Sequence, residues 1–153
     1  MKYPFYLILS LIFIVTSCSL NDNENSIETD QVITIEWHLT KSSGGIAGED
    51  YEFDLDTIIW DFDSQNGSLT ISNNNTDDNK EDALSSGTYL YELLELNNLV
   101  YIVIDGEEYG EIIFSSNNDA ITINQNHTST GNSSDLFVYN FTRKLITTDS
   151  SGN

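Results

Sequence analysis

Ile33-Thr34-Ile35-Glu36-Trp37-His38-Leu39 is the stretch that decides the fold. Apolar side chains occupy every second position, and Thr34, Glu36 and His38 stand between them. A period of two puts alternate side chains on opposite faces of a β-strand, whereas a helix needs apolar residues every three or four positions. The pattern recurs down the chain. Ile58, Trp60 and Phe62 alternate with Asp61 and Asp63, and Leu69 and Ile71 with Ser68, Thr70 and Ser72. Tyr89, Tyr91 and Leu93 follow Gly87, Leu99 to Ile104 is continuously apolar, and Ile112 to Phe114 follows Tyr109. Ile121 and Ile123 flank Thr122, and Phe137, Tyr139, Phe141 and Arg143 alternate with Val138, Asn140 and Thr142. These segments are rich in β-branched and aromatic residues, and none carries a helical stripe.

Asn66-Gly67, Asn97-Asn98, Asp105-Gly106 and Asn117-Asn118 lie between the segments and are hairpin turn signals. Eight sequential antiparallel strands predict an all-β, up-and-down barrel, in which closure removes exposed edges. A two-sheet β-sandwich is the alternative. Connections alternate between the two ends of such a barrel. The long ones, residues 41–54, 73–86 and 125–134, fall at one rim. Binding loops gather on rigid scaffolds in this way, so the mouth is expected there, facing away from the N-terminal segment.

Trp37, Trp60, Phe62, Tyr89, Tyr91, Tyr139 and Phe141 share the inward parity. An eight-stranded interior is just wide enough to be filled by side chains or to hold one small ligand. If it holds a ligand, Trp37, Trp60, Tyr89 and Tyr91 are expected to line it. Tyr51 or Phe53 would then sit in a lid hinged at Gly44-Gly45 and Gly48.

The 153 residues suffice for one domain. Twenty-five acids against five bases give a net charge of −20. A surface this acidic repels phosphate backbones, so nucleic acid is not expected as a partner. A lone cysteine, Cys18, excludes a disulfide framework. Lys2 precedes an apolar run from Phe5 to Val15, which is too short to span a bilayer but suits a signal peptide. Val15-Thr16-Ser17-Cys18 then resembles a bacterial lipobox, whose Cys is acylated and becomes the new N-terminus. The expected organisation is a signal peptide over 1–17, lipidated Cys18 with a flexible tether over 18–30, a barrel over 31–147 and a tail over 148–153. The membrane enters as a partner through that anchor, with the protein held at the outer membrane of a cell envelope.

Trp37-His38-Leu39, residues 43–48 (Ser-Gly-Gly-Ile-Ala-Gly), Ile59-Trp60-Asp61-Phe62 and Asn66-Gly67-Ser68-Leu69 resemble lipocalin-like lipoproteins of flavobacteria and relatives. So do Ser86-Gly87-Thr88-Tyr89, residues 104–110 (Ile-Asp-Gly-Glu-Glu-Tyr-Gly) and Phe141-Thr142-Arg143. The resemblance implies an eight-stranded barrel without a cofactor that binds a small hydrophobic molecule. Lipocalins carry Gly-x-Trp in the first strand and pair that Trp with a late Arg. Here Ile35-Glu36-Trp37 lacks the Gly, and Arg143 is the one Arg that could fill the structural role.

No catalytic constellation is evident, and the chain is not expected to be an enzyme. His38 and His127 are far apart in sequence, and His38 is expected on the solvated face. Asp54/Asp56 and Asp61/Asp63 alternate with apolar residues, which places them outside the barrel. Residues 77–82 hold four acids, but Lys80 interrupts them and EF-hand spacing is absent. They read as a solvated charge run, with weak calcium binding as the alternative. Two functions remain open: a lipid-anchored binding module for a small apolar ligand, or a solid barrel that contacts macromolecules through its acidic rim loops.

Overall fold

All eight alternating segments form strands in the computed structural model, which describes residues 31–149. The elements are β1 (Gln31–Gly44), β2 (Glu49–Glu52), β3 (Ile58–Asp63), β4 (Ser68–Asn73), β5 (Gly87–Leu96) and β6 (Leu99–Ile104). They continue with β7 (Glu107–Phe114), β8 (Ala120–Asn124), β9 (His127–Thr128), β10 (Gly131–Asn132) and β11 (Phe137–Asp149). No helix occurs among the described residues. The expected leader, Cys18, the expected tether and most of the expected tail lie outside them.

The barrel staves run β1-β3-β4-β5-β6-β7-β8-β11, each antiparallel to the next. β11 then pairs back along β1, from Gln31 opposite Asp149 to Gly44 opposite Phe137. This seam closes one continuous sheet, so the fold is an up-and-down barrel and not a sandwich. The tight turns have the left-handed backbone their residues favour, with φ of 54° at Asn97 and 63° at Asn98. A bulge lets Tyr109 stand out of register between Glu108 and Gly110. Gly110 has φ +151°, and a Cβ there would lie 2.6 Å from the Asn124 carbonyl oxygen, so glycine alone fits.

Residues 41–54 are not a loose lid. β1 continues to Gly44 and returns as β2, so the Ser-Gly-rich segment forms a hairpin that extends the barrel wall. Its polar alternation carries no apolar signal, which is why the sequence pattern hides it. A register shift at Thr40 allows the switch: β1 pairs β3 below it and β2 above it.

The middle of the barrel is solid. Trp60, fully buried, meets Phe141, Phe62 and Tyr109 at centroid separations of 4.9, 6.1 and 6.2 Å, all tilted. Such aromatic pairs contribute ~0.5–1.5 kcal/mol each beyond area burial. Ile58, Leu69, Ile102 and Ile123 belong to the same buried core.

Candidate binding site at the tether end of the barrel

The connections β1–β3, β4–β5, β6–β7 and β8–β11 share one end, here the loop end. The described chain enters and leaves at the other, the tether end. The long connections do gather as their parity predicts, but they do not frame an open mouth. Residues 74–86 fold inward as a cap. Ser42, fully buried, donates to the Glu81 carbonyl, and Tyr139 donates its hydroxyl proton to the Glu81 carboxylate at 2.8 Å. Ala83 and Leu84 pack on the core, and Tyr89 donates to the Ser85 carbonyl. Lys80 donates to the Glu52 carbonyl and sits 5.3 Å above the Phe53 ring. The cap is thus tied to the wall on several sides.

The acids of residues 77–82 face different partners. Asp77 accepts from Asn79, Glu81 from Tyr139 and Asp82 from Asn75. Among the described residues no three potential ligands converge on a metal position.

Residues 125–136 leave the rim and cover the outer face of β7. Glu108 accepts from the backbone and hydroxyl of Ser129, and Glu111, nearly buried, meets His127 Nδ1 at 2.8 Å. His38 is also covered, contrary to the expectation of a solvated ring. It points outward, but the β2–β3 connection crosses over it, and Asp56 N–H donates to its Nδ1. Its Nε2 faces Glu36 at 3.3 Å, and Lys144 ties Asp56 down from the other side. Strand parity gives the face of a residue; it does not reveal a segment laid over that face.

The apolar opening lies at the tether end. Trp37, Phe62, Tyr91, Leu93, Ile112, Phe114 and Ile121 line a cavity of about 170 Å³. Five staves contribute, and each lining side chain shares the inward parity of its strand. Leu93 is 51% exposed and Phe114 46%, so the cavity reaches solvent between them. Of its lining side chains only Trp37 and Tyr91 carry a polar atom, and burial makes the Tyr91 hydroxyl harder to ionise.

The expected ligand-lining residues therefore divide. Trp37 and Tyr91 line the cavity, and Trp60 fills the layer above it. Tyr89, Tyr51 and Phe53 belong to the loop end under the cap, where Phe53 is part of the core. Phe62 was already placed inward by its parity. Leu93, Ile112, Phe114 and Ile121 were legible as strand residues, but nothing local marked the uncapped end.

Arg143 stands directly opposite Trp37 in the β1–β11 register. The guanidinium does not settle over the indole; among the described residues the cation–π contact that forms is that of Lys80 with Phe53.

No family model matches this sequence, and no characterised protein or solved structure is found to be similar to it.

Proposed function

We propose that this protein is a membrane-tethered binding module of lipocalin type that holds a small apolar group in the tether-end cavity. The observation that carries the reading is the cavity: seven inward side chains leave about 170 Å³ unfilled and open to solvent. Cavities that enclose a drug-sized ligand measure ~300–1,000 Å³. This one suits a single ring or the end of an alkyl chain. The solid layer around Trp60 and the cap over the loop end leave the tether end as the way in. The lipobox-like segment ending at Cys18 supports the tether, and no cofactor is needed for binding of this kind.

The test uses an apolar fluorescent dye with the soluble chain starting at Ser19. Binding that changes tryptophan emission and weakens in Trp37→Ala supports the reading. Absence of binding to the wild-type chain refutes it and favours a solid scaffold acting through its acidic loops.

A further inference from the structure

We infer that the ligand is an amphiphile with one alkyl chain and an anionic head, its tail in the tether-end cavity and its head on Arg143. This rests on the binding reading above and adds the chemistry of the ligand.

The position of Arg143 follows from the sheet. β11 alternates Tyr139, Phe141, Arg143 and Leu145 on one face, and the first two are buried in the core. Arg143 is therefore the next inward residue toward the tether end. Its two neighbouring strands supply lining residues close by: Trp37, its direct partner on β1, and Ile121 on β8, which pairs with Phe141 one inward step nearer the core. Arg143 does not itself line the cavity, but the register sets it on the inward face of β11 beside the lining residue Trp37.

Among the described residues no carboxylate lies within ion-pair distance of the Arg143 guanidinium. The nearest candidate on the chain path, Asp119, accepts the Arg143 backbone N–H through its carbonyl. Its carboxylate is held instead by Ser115 and Asn117 within its own turn. Lys41 and Lys144, by contrast, each have an acid partner at 2.8 and 2.6 Å. An arginine offers a planar fork of donors suited to a carboxylate or phosphate.

The surface beyond the lip is apolar. Ile35 stands opposite Leu145, and Ile33 extends the same face; all three are exposed. They give an alkyl chain a greasy path past Arg143 into the cavity. Of the acids at this end, Glu36, Asp61 and Asp63 alternate to the outer face, and Glu95 follows Leu93 on the inward face of β5, exposed on the far side of the cavity from β11. Burial first, then the carboxylates of Glu36 and Asp63, hold the Asp61 carboxyl above its usual range. Salt near 0.15 M screens their field beyond about 8 Å.

The test titrates the soluble chain with decanoate, decyl phosphate, decanol and decyltrimethylammonium, read by tryptophan emission. Decanoate or decyl phosphate should bind about tenfold or more tightly than decanol, the size expected of a charge-assisted hydrogen bond. The cationic amphiphile should bind more weakly than decanol. Arg143→Gln should remove the anion preference and leave decanol affinity unchanged, which separates a lost head contact from a misfolded barrel. The stronger of decanoate and decyl phosphate identifies a carboxylate or a phosphate as the head. Equal binding of decanol and both anions, or an anion preference that survives in Arg143→Gln, overturns the inference but leaves the binding reading intact. No binding by any of the four overturns both.

Discussion

Tyr139 and Glu81, 58 residues apart in sequence, are joined by a 2.8 Å hydrogen bond at the loop end of the barrel. The bond is one of several contacts that close this end of the molecule. It fastens residues 74–86 across the rim, and Ser42 and Leu84 hold the same segment from below. A rim surrounded by long loops is thereby closed, and the short-turn end keeps the apolar opening.

Breaking that bond should loosen the cap. Tyr139→Phe keeps the ring and removes the donor, leaving the half-buried Glu81 carboxylate short of a partner. A loss of about 1–3 kcal/mol is expected in urea unfolding. Glu81→Gln, which retains an acceptor, should lose less. Equal stability of Tyr139→Phe and wild type would mean that the cap is held by packing alone.

Alkaline pH should unfold the protein through its buried tyrosines. Burial pushes the Tyr109 and Tyr139 hydroxyls far above the ordinary tyrosine range. The two hydroxyls are neighbours, and with Tyr139 committed to Glu81, that of Tyr109 has no partner of hydrogen-bonding geometry among the described residues. Both groups stay protonated in the folded state while the unfolded chain ionises near pH ~10. Above that pH the unfolded state binds fewer protons, so stability falls as pH rises. Phenolate absorbance should show these two tyrosines ionising only with the loss of tertiary structure. Full tyrosine ionisation in a still-folded protein would contradict their burial.

Trp60→Ala removes the ring at the centre of the solid layer and should cost about 3–5 kcal/mol. Trp37→Ala borders space that is already empty and should cost less while enlarging the cavity. Thermal and urea unfolding of both variants checks the order. A larger loss at Trp37 would mean that its surroundings are as tightly packed as those of Trp60.

Cys18→Ala should abolish acylation and release the protein from membranes. Metabolic labelling with a clickable fatty acid reads this directly. Undiminished labelling of the variant would rule out Cys18 as the anchor.

Much of this architecture was legible in the sequence. Alternation around Trp37, Trp60 and Tyr139 gives both strands and inward faces, and the turns at Asn97-Asn98 and Asp105-Gly106 form where expected. The illegible features all depend on contacts between distant segments. β2 carries no apolar alternation, and His38 is covered by a connection 18 residues further on. The ring of Phe53, expected in a lid, packs into the core instead. Loop length showed where the rim segments gather but not that Glu81 would reach Tyr139 and close them over it.

The most direct test of the account is a methyl NMR titration of the soluble chain with an apolar probe such as decanol. The account predicts shifts at Leu93, Ile112 and Ile121 around the cavity, with Ile46, Ile58 and Leu84 at the loop end unmoved. Shifts confined to the loop-end methyls, or none at saturating probe, would contradict it.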